Sequence, residues 1–353
     1  MSALIDGTTQ AASEPLELQL ERRRGELTAY CYRMLGSAFD AEDAVQETFV
    51  RAWRGFDSFE GRAELSTWLY KIATNVCLST LEGMGRRARP IDLGPPGTAD
   101  SPLGERLPEA TWIEPIPDSQ IARAGDDPAA TVEMRDSIRL AFVAALQHLA
   151  PKQRAVLVLR DVLKWKASEV AELLGTTVAG VNSALQRARA TLANAEIDID
   201  APQEPLDDRT EMLLALYVDA FERYDMDALV SVLHRDATWT MPPYELWLNS
   251  HEDIRRWCLG RGIGCRGSRL VPVRANASPA FAQYKPAADG GFDAWSLQVL
   301  EISGGVISGI SFFLDVEWLF PMFGLPPRLP AEALVMRPRL VKSDEIARDG
   351  RSK

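Results

Sequence analysis

A chain of 353 residues, 46% of them hydrophobic, can bury two or three cores, which excludes a wholly disordered protein. Its 50 Asp and Glu against 39 Lys and Arg leave a net charge of −11, which argues against strong DNA binding by the chain alone, because affinity for a phosphate backbone needs local positive charge. No apolar run approaches the roughly 20 residues that cross a bilayer, and MSALIDGTTQAASEPLELQLE lacks the basic-then-apolar pattern of a signal peptide, so the expected location is cytoplasmic, with no membrane partner.

Residues 22–82 read as a helical, aromatic-rich domain. Leu27 to Leu35 suit a helix broken at Gly36. Asp40 is a candidate N-cap for the next helix, with Asp43 three places on. That helix repeats apolar residues at Ala41, Val45, Phe49, Ala52 and Phe56, near the 3.6-residue period. A further helix is expected from Ser66 to Leu78, with Trp68, Leu69, Ile72, Ala73 and Val76 as apolar surface. Exposed rings stack on unpaired bases, and neighbouring cations hold phosphates. Each ring taken singly suits a core better than a stacking platform; Arg62, Lys71 and Asn75 are the better candidates for exposed polar contacts.

Residues 83–130 are rich in Gly, Pro, Asp and Ser and keep no helical or strand period, as a linker does. Arg86, Arg87 and Arg89 form a basic cluster at its start, either solvated or in contact with a large partner. Trp112 and Ile113 suggest a local anchor.

Residues 131–195 read as a helix-turn-helix domain. Between Arg135 and Ala195 nine Lys and Arg face four Asp and Glu, a local excess of five positive charges. Pro151 suits the first turn of a helix, where its missing N–H costs nothing. KASEVAELLG is a short helix ended by Gly175, and Thr177 caps the last helix. In that helix Val181, Leu185, Ala188 and Leu192 form an apolar face, leaving Asn182, Ser183, Gln186, Arg187 and Arg189 as a polar one. A helix of this kind anchors in a bundle while its polar side chains reach base edges and phosphates.

Residues 205–330 begin with amphipathic helices, with Met212, Ala215, Leu216, Val218, Ala220 and Phe221 as the first apolar surface. Strand-like alternation follows in ATWTM, SRLVPVRAN, PAFAQYK, FDAWSLQVLEI and GVISGISFFLD. A curved antiparallel sheet wrapped by helices is the expected α+β arrangement. Residues 331–353 form a tail of mixed charge. The spacings of Cys31, Cys77, Cys258 and Cys265 do not suit a zinc site, and neither metal nor cofactor is expected.

AYCYRMLGSAFDAEDAVQETFVRAW and FEGRAELSTWLYKIATNVCL resemble region 2 of the extracytoplasmic-function class of sigma-70-type factors, and LAPKQRAVLVLRDVLKWKASEVAELLGTTVAGVNSALQRARATL resembles region 4. The resemblance covers about 110 to 125 residues, and the two motifs occur in the family's order. It implies a promoter-specificity subunit without catalysis of its own, whose partners are core RNA polymerase, through the beta-prime clamp and the beta flap, and promoter DNA. Carried over by position, Asp43, Gln46 and Phe49 fall in the polymerase-docking part. Arg62, Trp68, Lys71 and Asn75 fall in the minus-10 part, and Asn182, Ser183, Gln186 and Arg187 on the minus-35 helix. Many relatives carry Asp where Ser79 follows Asn75, which puts one local contact in doubt.

YVDAFERYDMDALVSVLHRDATWTMPP, the HEDI segment and the late strand pair resemble the cone-shaped NTF2 superfamily, SnoaL-like branch. The implied fold class is therefore multidomain: all-α region 2 and helix-turn-helix region 4 modules, followed by an α+β cone-shaped domain that regulates them in cis. The cone commonly encloses a pocket, with His234, Asp236, Trp239, Tyr244 and Trp257 as candidate lining. Three readings stay open: a packing or regulatory domain, a sensor of a small-molecule ligand, and an isomerase- or hydrolase-type enzyme using His234 and Asp236 for acid/base chemistry on a scaffold of helical modules.

Overall fold

The computed structural model describes residues 14–59, 64–121, 136–194 and 207–331. The first module holds α1 (Leu16–Glu21), α2 (Arg24–Leu35), α3 (Ala38–Gly55) and α4 (Leu65–Thr80). Gly36 ends α2 in the left-handed conformation at φ 72°, which glycine adopts without strain. The cap of α3 is Ser37 rather than Asp40: its hydroxyl accepts the Asp40 N–H at 3.1 Å. The helix therefore starts two residues before the expected Asp40 cap, because serine satisfies the orphan donor equally well. The core side of α3 is Ala38, Ala41, Ala44, Val45, Thr48 and Ala52. Phe49 is only half-buried, with the Arg24 guanidinium 5.0 Å from its ring centroid.

The linker is pinned rather than loose along its described part. Arg87 is buried and donates to Asp40 Oδ2 at 2.7 Å and to the Trp112 carbonyl at 2.7 Å. Arg86 bonds the His148 ring, and Arg89 pairs with Asp92. All three side chains of the basic cluster thus make contacts within the molecule, although Arg86 stays exposed. Trp112, Ile113 and Ile116 are all buried, and α5 (Asp118–Ile121) follows.

The second helical module has α6 (Leu140–Gln147), α7 (Pro151–Leu157) running into a π-helical turn at Val158–Val162, α8 (Ala167–Leu173) and α9 (Val178–Asn194). Residues 122–135 lie outside the described residues, and with them the start of the helix expected from Val132. This module packs directly on the first. Arg154 of α7 is buried and donates to the Met34 carbonyl at the end of α2 and to Gln147 Oε1 at 2.6 Å. Burial lowers its pKa to about 10. Arg33 Nη2 donates to Ser137 Oγ at 2.7 Å, and Trp165 meets Tyr70 edge to face at 5.2 Å.

The C-terminal part has α10 (Asp208–Arg223), α11 (Met226–Ser231), β1 (Leu233–Thr240), β2 (Trp247–Leu248), α12 (His251–Leu259), β3 (Arg269–Ala275), β4 (Ser278–Pro286), β5 (Phe292–Ser303), β6 (Val306–Phe313), α13 (Val316–Met322) and β7 (Arg328–Leu329). The buried stripe of α10 is Thr210, Leu213, Leu214, Tyr217, Ala220 and Phe221. Met212 and Leu216, expected in that stripe, are 66% and 54% exposed, because they fall on the opposite side of the 3.6-residue turn.

The expected cone does not form. The sheet runs β2-β1-β6-β5-β4-β3, with β7 beside β5, and its end strands β2 and β3 do not pair. It is neither closed nor curled into a cone. Nor is it wholly antiparallel: β1 and β6 are parallel. The physical reason lies in the second face. Along β4, Ala280, Ala282 and Tyr284 join a core that continues through the linker into both helical modules, whereas Phe281 joins the core under α10–α12. The same split runs along β5, with Leu297 and Val299 on one side and Leu300 and Ile302 on the other. Both faces are covered by other elements, so the sheet has no need to wrap on itself.

Candidate polymerase and nucleic-acid interfaces

The outward face of α3 carries no packing load. Asp43 and Gln46 are exposed, and Val50 and Trp53 continue that face one turn on. Trp53 is 57% exposed and with Val50, 42% exposed, puts apolar surface on that face. Sequence periodicity did not select Val50 and Trp53 as contact residues, although the 43, 46, 50, 53 spacing was available in the chain.

On α4, Tyr70 points inward and Trp68, Lys71 and Asn75 share another face. Lys71 and Asn75 are exposed. Trp68 is half-buried and stacks on Phe59, with centroids 4.8 Å apart. Ser79 is exposed on the same face. Arg62 lies outside the described residues. The arrangement offers one cation, one amide and part of an indole along a single helix.

On α9 the two faces separate cleanly. Val181, Leu185, Ala188 and Leu192 are buried, and Asn182, Ser183, Gln186 and Arg187 are exposed. Thr177 Oγ1 accepts the Gly180 N–H at 3.0 Å and fixes the start of the helix. Arg189 is held away from the polar set by a two-bond pair with Asp161, at 2.8 and 3.0 Å.

A cavity of about 260 Å³ lies between the sheet and α10–α12. Trp239, Tyr244 and Trp257 line it; His234 and Asp236 do not. Those two sit on the exposed start of β1, with His234 Nδ1 4.0 Å from Asp236 Oδ2. The wall instead includes Lys285 and Arg261, two residues that sequence patterning had not singled out. Cys258 also lines it, and burial pushes that thiol up to about 12, so little of it is thiolate at neutral pH.

Known families match the same two helical modules. The sigma-70 region 2 profile matches residues 20–87, and the sigma-70 region 4 profile matches residues 139–192. The extracytoplasmic-function (ECF) RNA polymerase sigma factor SigG of Mycobacterium tuberculosis is 45% identical over 346 residues, covering 92% of this chain and 90% of that protein. The chain belongs to the ECF RNA polymerase sigma factors. SigJ of the same organism is 29% identical over 283 residues, covering 77% of this chain and 82% of that one. The crystal structure of SigJ aligns with a TM-score of 0.58 at 22% identity, covering 89% of this chain and all of that one, so the likeness of fold extends beyond the two helical modules. As an ECF sigma factor the chain acts in transcription initiation by RNA polymerase as a non-catalytic specificity subunit. Among the described residues of this sigma factor, no helix is long and apolar enough to cross a membrane.

Proposed function

We infer that this sigma factor directs core RNA polymerase to specific promoters through three separate surfaces. In this reading residues 22–82 form the region 2 domain, 83–130 the linker, 131–195 the region 4 domain, 205–330 the regulatory domain and 331–353 the tail. Asp43, Gln46 and Phe49 on α3 dock on the beta-prime clamp, with Val50 and Trp53 extending that surface. Trp68, Lys71 and Asn75 on α4, with Arg62, engage the opened minus-10 strand. Asn182, Ser183, Gln186 and Arg187 read the minus-35 duplex, while the rest of region 4 sits on the beta flap. The setting is the cytoplasm, where polymerase and chromosome meet. The observation that carries the reading is α9: its apolar face is buried, and Asn182, Ser183, Gln186 and Arg187 on its polar face are exposed, as groove reading requires.

The packed arrangement is best read as a closed state. The two promoter elements lie about two dozen base pairs apart, on the order of 80 Å at ~3.4 Å per base pair. Modules joined by Arg154, Arg33 and the Tyr70–Trp165 contact do not span that distance. Region 4 therefore has to leave region 2 when the promoter is engaged, and the C-terminal domain, which shares a core with both, restrains it. Reconstituted transcription with core polymerase and genome-wide promoter capture tests the reading. A defined set of start sites that depends on this chain is expected; a folded chain that binds no core polymerase defeats it.

A further inference from the structure

The cavity on the α10–α12 side of the sheet has a charge opposite to that of the chain. The chain carries −11, yet among the described residues no Asp or Glu lines the cavity, and Lys285 and Arg261 both do. Neither cation has a carboxylate in ion-pair range among those residues. Each leans on a ring instead: Lys285 Nζ is 3.1 Å from the Trp295 centroid, and Arg261 Cζ is 5.7 Å from that of Trp257. Such contacts leave the outer N–H donors of a cation available. Burial also lowers the Lys285 pKa, and a hydrogen bond to Cys265 offsets part of that effect.

Two other polar side chains on the wall, Gln283 and Tyr224, are already engaged. Gln283 Oε1 accepts from Ser296 Oγ at 2.7 Å and from Gln298 Nε2 at 3.0 Å, and its Nε2 donates to Ser268 Oγ at 3.0 Å. The Tyr224 hydroxyl donates toward the Cys258 and Gly262 carbonyls, both at 2.7 Å. Most of the remaining wall is apolar or aromatic, with Trp239, Phe312 and Met241 among it. A volume of 260 Å³ is about nine times the share of one liquid water. At protein-like packing it holds on the order of a dozen non-hydrogen atoms.

We propose that this cavity binds a flat, mostly apolar molecule bearing one anionic group, an aromatic carboxylate, with its rings against the aromatic wall and its anion at Lys285 and Arg261. Shape and apolar area supply the affinity, and the two cations supply the selectivity. The site also touches the linker. Leu103 forms part of the wall, and Arg261 Nη1 donates to the Ser101 carbonyl at 2.6 Å. Nearby, Arg256 pairs with Asp100 at 2.7 Å and Asp253 accepts the Ala99 N–H at 2.9 Å. A ligand drawn to Arg261 acts on the segment that joins the two sigma modules. That consequence rests on the proposed promoter reading; the binding site does not.

Calorimetric titration of the full chain with 2-naphthoate and with its neutral isostere 2-naphthamide tests the proposal. The carboxylate is expected to bind about tenfold or more tighter than the amide. Lys285→Met is expected to remove most of that preference and to leave the amide unchanged, whereas Lys285→Arg keeps it. Equal binding of the two compounds, no binding of either by the folded chain, or an unchanged preference in a folded K285M protein overturns the proposal. If K285M does not fold, the acid–amide comparison on the unaltered chain still decides. Transcription by the unliganded chain with core polymerase is read separately, and its failure would count against the promoter reading while leaving the ligand site standing.

Discussion

Two buried side chains at the module junction show what single residues do here. Asn276 sits at φ 55°, a conformation that asparagine tolerates better than most residues. Its Nδ2 donates to Tyr32 Oη and to the Ile138 carbonyl, both at 2.7 Å, and its Oδ1 accepts the Ile116 N–H at 3.0 Å. One amide thereby joins α2, the linker, the segment just before α6 and the sheet. Asn276→Ala leaves buried partners unmet and is expected to cost about 2–4 kcal/mol, read as a lowered unfolding midpoint of the full chain. Glu114 is the second. Its Oε2 accepts from Ser37 Oγ at 2.5 Å, and Arg87 stands 3.9 Å from its other oxygen, yet burial dominates and pushes its pKa up to about 8. The folded state then holds a proton that the unfolded chain releases near 4.5. This contribution to stability is full below about pH 4.5 and is lost as the pH rises through about 8. Glu114→Gln is expected to flatten that loss: melting points of the two proteins compared at about pH 5 and about pH 8.5 should diverge at the higher pH, and parallel curves would contradict it. Neither residue had a sequence signature. Trp112 and Ile113 flagged the anchor because large apolar residues in a polar stretch stand out, whereas a lone Glu or Asn does not.

At the level of elements, α9 was legible because its 4-3-4 apolar spacing sets the helix phase, and the phase assigns every other side chain to solvent. Of its polar side chains, Arg189 pairs with Asp161, whereas Gln186 and Arg187 are exposed. Gln186→Ala with Arg187→Ala should leave the unfolding free energy within about 0.5 kcal/mol of the parent. The same pair should weaken holoenzyme binding to its promoter, by about 1–3 kcal/mol for each side chain that reads a base, as a footprinting titration would show. A matched drop in thermal stability would mean that the helix faces inward in solution. The face of α3 predicts the same separation: Asp43→Ala with Gln46→Ala should reduce affinity for core polymerase while the isolated chain melts as before. Other elements were misjudged where two phases compete. Met212 and Leu216 are apolar residues on the solvent side of α10, and apolarity alone does not tell the stripe from its back. Ser37 and Asp40 are both able caps, and only the hydrogen bond formed distinguishes them. His234 and Asp236 fell together because they are two apart on one strand, which gave them the same side but not the side of the cavity.

Across the whole molecule, the helical modules and the sheet share one continuous core through the linker. If that state is the closed one, binding core polymerase must loosen the junction. Amide hydrogen exchange at residues 111–121 and 136–149 is then expected to quicken in the complex, and unchanged protection there would count against opening. The chain by itself determined the helical modules, their order, the polar face of α9 and the approximate course of the five longer strands, because each follows from short-range periodicity and turn chemistry. Only the tertiary structure decided that the linker is pinned, that the sheet stays open with β1 parallel to β6, that Glu114 is buried and that Lys285 and Arg261 share a cavity. Those features depend on which surfaces meet across up to some two hundred residues of sequence. Local pattern says that a face must be buried, but not what buries it.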